Sequence, residues 1–193
     1  ILAYGLIMAT FTNLAVSTAA ARDSGILKRI RGTALPTWAF IAARVVSTLI
    51  TSVALVAVTL GLGVFAYDVE IRTSTLLGTI LTLVLGSVCF TTLGLAVTAM
   101  IPNAEAAPAI VNLLVLPLTF ISGIWMVIAD APGWLDTTAK IFPVRALAHG
   151  LQHAFDPATT GTGIVWTDLM VLAIWTVVGL RICQRWFRWE SKR

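Results

Sequence analysis

Residues 76–101 read LLGTILTLVLGSVCFTTLGLAVTAMI, twenty-six residues without one charged side chain. A helix needs about 20 apolar residues to cross the roughly 30 Å hydrocarbon core of a bilayer, whereas a barrel strand needs about 10 of alternating polarity. The run is continuous, so it predicts a membrane-crossing helix. Four further runs have the same character, at 1–21, 38–67, 107–128 and 166–182. Over all 193 residues 58% are hydrophobic and only 11% charged. Soluble domains carry about 25% charged residues, so a water-soluble single-core enzyme is excluded. The expected fold is all-α and integral to the membrane, one transmembrane domain over 1–193 with five spans.

Charge placement predicts sidedness. Ten of the thirteen basic residues fall on one side: Arg22, Lys28, Arg29, Arg31 and Arg44 around the first connection, and Arg181, Arg185, Arg188, Lys192 and Arg193 in the tail. The other side has Arg72, Lys140 and Arg145. The positive-inside rule makes the basic side cytoplasmic, with the C-terminus inside and residue 1 outside. Five spans from an outside start lead to the expectation of a sixth span ahead of Ile1. The turn 102–105 holds no Lys or Arg and adds nothing to this assignment. Aromatic residues near span ends (Trp38, Tyr67, Trp125, Trp134, Trp166, Trp186, Trp189) fit interfacial belts.

Two segments lie outside the expected spans. The cytoplasmic stretch 22–36 puts Ile26, Leu27 and Ile30 on one side of a short helix and basic residues on the other, with Gly32 and Pro36 ending it. The external segment 129–165 contains Val144, Leu147, Ala148, Leu151 and Phe155 at three- and four-residue steps. That pattern predicts an amphipathic helix in the outer interface, started by Pro143 and stopped by Asp156-Pro157.

No Asp, Glu, Lys, Arg or His lies near the middle of any run; Arg44 is near an end and can snorkel. Proton-coupled carriers and cation channels usually keep such a group despite a cost of about 2.5–3.5 kcal/mol at mid-span. Uphill transport would therefore draw its energy from outside the bilayer. The chain's three lysines lack the glycine-rich P-loop setting that cradles nucleotide phosphates, so the energising site would be on a partner. His149 and His153 share a helix face, but no third ligand accompanies them, so metal is not expected. Cys89 and Cys183 lie in apolar runs and indicate no disulfide framework. Asp68, Glu70, Asp130 and Asp136 read as solvated loop acids. Gly78, Thr82, Gly86, Gly94 and Thr98 step by four or eight, which suits close helix packing. Asn13 and Asn112 are amides in apolar runs, with Phe11, Leu116, Pro117 and Phe120 within about two turns. Each Asn makes either an interhelical hydrogen bond or a substrate contact.

The stretch Arg-Asp-Ser-Gly-Ile-Leu-Lys-Arg-Ile-Arg-Gly-Thr-Ala-Leu-Pro (22–36) resembles the loop between the second and third spans of type-2 ABC transporter permeases, closest to the daunorubicin-resistance type. Phe-Ile-Ser-Gly-Ile-Trp-Met (120–126), Ala-Pro-Gly-Trp-Leu (131–135) and Phe-Pro-Val-Arg-Ala-Leu (142–147) are similar to that family's fifth span and external segment. One departure is Val127, where many relatives carry proline. The resemblance implies six spans in the complete subunit, with two permease subunits and two cytoplasmic ATPase subunits, in a bacterial inner membrane. ATP and magnesium would bind the ATPase, and no cofactor would bind this chain. Arg22, Asp23, Ser24, Gly25, Leu27, Lys28 and Arg29 would form a coupling helix, Arg22 and Asp23 pairing across the ATPase interface. Phe11, Asn13, Asn112, Leu116 and Phe120 would line the substrate path. The expected activity is export of an amphipathic drug or lipid-like substrate by alternating access, of the multidrug or antibiotic-resistance kind. The chain itself would not be an enzyme, and its other partners would be membrane lipid and no nucleic acid. The alternative is a non-transporting membrane anchor or sensor subunit.

Overall fold

The computed structural model describes residues 2–32, 36–67, 73–124, 138–156, 158, 159 and 161–186. Asp68, Glu70, Asp130, Asp136, Trp125, Trp134, Trp189, Val127, the 131–135 motif and the tail beyond Trp186 lie outside these residues. Regular structure among the described residues is all helical. The first span is built from α1 (Leu2–Ile7), a π-turn (Met8–Thr12) and α2 (Asn13–Asp23), continued by the short α3 (Ile26–Arg31). Then come α4 (Thr37–Tyr67), a 3-10 turn (Thr73–Thr75) leading into α5 (Leu76–Val97), α6 (Ala107–Ile121), α7 (Pro143–Phe155) and α8 (Trp166–Trp186).

Among the described residues, four helical runs are long and apolar enough to cross a membrane: Leu2–Asp23, Trp38–Phe65, Thr73–Val97 and Trp166–Trp186. Of the expected span 107–128, the described part forms α6 over Ala107–Ile121, and 125–128 lie outside the described residues. α6 has 15 residues, which at 1.5 Å rise per residue is roughly 22 Å and short of the core. Its last i→i−4 bond runs from the Ser122 N–H to Leu118 O at 3.0 Å, and it stops there as Gly123 takes a left-handed φ of 77°.

The centre of the bundle is α5, which packs on α1, α2, α4, α7, α8 and the π-turn. Its small residues set these approaches. Gly78 lies against the Gly163 carbonyl, and its N–H bonds to Thr162 O at 3.1 Å. The Thr82 methyl meets the place of a Cβ on Gly150 at 3.0 Å, and Leu147 fills the space over Gly86. A Cβ on Gly94 would stand 2.9 Å from Phe11 O, and one on Gly179 of α8 would stand 2.7 Å from Thr92 Oγ1. Each small residue therefore receives a different neighbour. By contrast α4 is largely open, with Val46, Ile50, Val53, Val58 and Leu62 exposed. It is held at mid-length by a Thr48–Thr91 hydroxyl hydrogen bond of 2.7 Å. Its Arg44 guanidinium sits over the Phe40 ring at 5.3 Å, one turn back toward the helix start.

The expected external helix forms between Pro143 and Asp156, and its apolar face meets protein. α7 is packed on the bundle along that face. It buries Pro143, Val144, Ala146, Leu147, Ala148, Gly150, Leu151 and Ala154 against α1, α5, α6 and α8. Its start is deep: Trp175, near the middle of α8, donates its indole N–H to Ile141 O at 2.7 Å and stacks on Phe142 with centroids 6.3 Å apart. Arg145 reaches Ser122 O at 3.2 Å, which ties the start of α7 to the end of α6. An amphipathic face packs as well on protein as on lipid when glycines leave room for it.

Gly94→Ala and Gly61→Ala separate close approach from helix propensity. Nothing lies within 4 Å of a Cβ on Gly61, so that alanine should stabilise by about 0.5–1 kcal/mol. At Gly94 the obstacle is backbone, so overpacking should cost about 1–3 kcal/mol. Heat-induced loss of the monodisperse species in detergent should shift down for G94A and not for G61A.

Candidate functional site

The basic end of the bundle is organised by the close of the first span. α2 ends because Ser24 N–H bonds to Ala20 O at 3.0 Å, Gly25 N–H bonds to Arg22 O at 3.1 Å, and Gly25 adopts φ 76°. α3 then restarts at a new angle. Its Leu27 is fully buried with Leu14, Phe40, Ile41, Leu95, Ala96 and Cys183, and Ile30 packs partly against them. The expected ridge of Ile26, Leu27 and Ile30 is split. Leu27 and Ile30 are three apart and share a face, whereas Ile26 is about 100° from Leu27 and is 50% exposed. Ser24, Lys28 and Arg29 are exposed too.

Arg22 behaves differently from its neighbours. It is 5% exposed and donates to Thr98 O at 3.0 Å, Ile101 O at 2.7 Å and Pro102 O at 3.3 Å. These are carbonyls at and beyond the C-terminal end of α5, where a helix leaves acceptors unpaired and a cation is favoured. Hydrogen bonds from a charged donor are worth about 1.5–3 kcal/mol each. Asp23 Oδ2 accepts the Ala104 N–H at 2.5 Å, and Asn103 Oδ1 accepts the Ala106 N–H at 2.9 Å just before α6 begins. The expectation that Arg22 and Asp23 pair across a subunit interface is therefore corrected: both side chains are engaged inside this chain. The turn 98–104 gave no sign of this role in the sequence because it carries no basic residue. Its signal is Pro102-Asn103, a helix stop followed by a side chain that caps the next start.

A second region is an open wall. α6 buries a single seam, Ala107, Val111, Val115 and Thr119, one residue in four. Its remaining surface shows Asn112, Leu113, Leu116, Pro117 and Phe120, with Leu113 73% and Phe120 58% exposed. α2 packs beside α6 and exposes Asn13, Ser17 and Ala20. Neither Asn13 nor Asn112 makes a side-chain hydrogen bond among the described residues. Phe11 is not on this wall. It is 7% exposed and meets Phe90 edge-to-face with centroids 6.5 Å apart. Phe11 lies within the π-turn Met8–Thr12, which the Asn13 N–H to Met8 O closes; such turns recur at functional positions, and no periodicity in the sequence announced it.

At the opposite end His149 Nδ1 and Asp168 Oδ2 are 2.7 Å apart, and the His149 and His153 rings are 6.3 Å apart. No group of three potential metal ligands occurs among the described residues. Cys89 and Cys183 are free and buried.

Cysteine scanning reads the wall directly, because maleimides need a hydrated thiolate. In membranes Asn112→Cys and Leu116→Cys should label, while Val111→Cys, Val115→Cys and Val53→Cys on the outer face of α4 should not. Equal labelling of positions 112 and 53 would place the wall in lipid.

A family model described as ABC-2 type transporter matches residues 1–155. No curated protein and no solved structure gives a significant match. Members of that family are the transmembrane component and work with a separate ABC ATPase subunit. The helical bundle, its membrane-length spans and the match over most of its length give one conclusion: this chain belongs to the ABC-2 type transporter family and is a membrane-spanning permease component of an ABC transporter.

Proposed function

We propose that the chain is the permease subunit of an exporter for amphipathic, lipid-like or drug-like molecules, driven by a cytoplasmic ATPase. The observation that carries this reading is a pair of exposed carboxamides, Asn13 on α2 and Asn112 on α6, in two helices that pack together. An amide transferred to hydrocarbon without a partner costs several kcal/mol. Surface that bears them belongs against water, a second subunit or cargo rather than acyl chains. Around them Leu113, Leu116 and Phe120 are exposed and apolar, a lining suited to molecules with one polar end. Two copies would meet across this wall and enclose the path.

The energy enters at the basic end, which the charge distribution assigns to the cytoplasm together with the C-terminus. α3 offers Ile26, Lys28 and Arg29 outward while Leu27 anchors it to the bundle. An ATPase, holding ATP and magnesium in its own site, docks on this exposed face. Its closure on nucleotide swings the spans so that the path opens to the other side. The setting is a bacterial inner membrane, and resistance to a cytotoxic drug is the expected phenotype.

Reconstitution of the full-length subunit with its ATPase in liposomes tests the assignment. Hydrolysis should respond to amphipathic compounds, and dye efflux should require ATP. Lys28→Glu with Arg29→Glu should weaken ATPase association at least tenfold while membrane insertion is unchanged. Wild-type subunit that binds no ATPase and leaves hydrolysis unaltered would overturn the exporter reading.

A further inference from the structure

Arg22 and Asp23 are adjacent in sequence and hold two separate parts of one turn. Arg22 is buried, and its hydrogen bonds go to backbone carbonyls of Thr98, Ile101 and Pro102. The nearest acid is its own neighbour: Nε stands 3.8 Å from Asp23 Oδ1 and has no hydrogen-bond partner among the described residues. A charge whose only task was membrane orientation would stay in solvent, because burying a guanidinium is costly. At Arg22 that cost is offset by a fixed geometry between the close of α2 and the end of α5.

Asp23 extends the link to α6. Its carboxylate holds the Ala104 N–H, and Asn103 holds the Ala106 N–H at the entrance of α6. Beyond that entrance α6 is embedded only by the 107, 111, 115, 119 seam, so little resists a pull on its end. α3 is fastened to the same assembly, since Leu27 lies among side chains of α2, α4, α5 and α8. A displacement applied to α3 thus reaches α6 through the 98–106 turn, without passing along α4.

We infer that Arg22 is a positioning residue that makes the coupling segment and the 98–106 turn one rigid piece, transmitting ATPase movement to the face of α6 that bears Asn112. This inference rests on the ATPase-driven reading above. It differs from a docking role, because Arg22 acts within the chain, and from a merely structural role, because its loss should separate hydrolysis from transport.

The test uses Arg22→Gln, which keeps a polar side chain and loses the charge and the guanidinium fork, and Arg22→Lys, which keeps the charge. Spin labels at Lys28→Cys and Ala109→Cys, both exposed positions, report the distance from α3 to α6 in the full-length subunit. In the reconstituted complex, ATP hydrolysis and dye efflux are measured together. R22Q should broaden the distance distribution, keep ATPase association and hydrolysis within about twofold, and lower efflux per ATP at least tenfold; R22K should fall between. An unchanged distribution with an unchanged efflux-to-hydrolysis ratio overturns the inference, as does a parallel fall of both rates at an unchanged distance. Should R22Q fail to insert, Asp23→Ala, at an exposed side chain, is measured in the same way, and the same results support or overturn the inference. Failure of the wild-type subunit to engage an ATPase would sink the exporter reading, while the distance measurement would still decide whether Arg22 ties the two elements together.

Discussion

Helices in hydrocarbon gain little by hiding apolar side chains from lipid, so they must hold one another by close approach and by hydrogen bonds. In this chain that requirement falls on α5. Gly78, Gly86 and Gly94 bring three different neighbours to near-backbone distance, and Thr82 meets a glycine on the facing helix. Thr91 gives a hydroxyl to α4, while Cys183 of α8 approaches Thr92 O at 3.3 Å. The packing of α7 depends on the same small side-chain volumes: Leu147 occupies the space that Gly86 leaves.

A helix so thoroughly engaged makes a fixed reference for the others. α4 touches it along one side and otherwise faces outward. α6 is tied at its entrance by the turn that Arg22 and Asp23 organise and is free over most of its circumference. The bundle thus joins a packed centre to a loosely seated helix, and the open carboxamide of Asn112 sits on the loose one. That division is what a carrier needs if a path is to change shape while the membrane seal persists.

Much of this was legible in the sequence. Continuous apolar runs mark the membrane-length helices, because no other single segment satisfies its own backbone hydrogen bonds in lipid. Asn13 and Asn112 stand out for the same reason, as amides where amides are costly. The rest was hidden by ambiguity in the physics. Residues 122–128 stay mostly apolar, so composition could not tell that Gly123 ends the helix. The apolar face of 144–155 reads alike whether it meets lipid or protein. Arg22 has the placement of a surface charge, and only the fold shows that the orphan carbonyls of α5 lie within its reach. Phe11 sits two residues from Asn13, within the π-turn, and about 200° of helical rotation turns the two to different sides.

That π-turn sets the rotational phase of everything after it. A π-turn takes up one residue more than an ordinary helix uses for the same advance, so the half of the span beyond Asn13 is clocked roughly one residue, about 100°, from the half before it. Were the same residues wound as an uninterrupted α-helix, with no π-turn at Met8–Thr12, the half after it would rotate by about one residue's 100°. Asn13 would swing off the open face, and Arg22 would aim away from the carbonyls at the end of α5. The span's two ends keep their separate appointments only because the ladder between them carries a one-residue insertion.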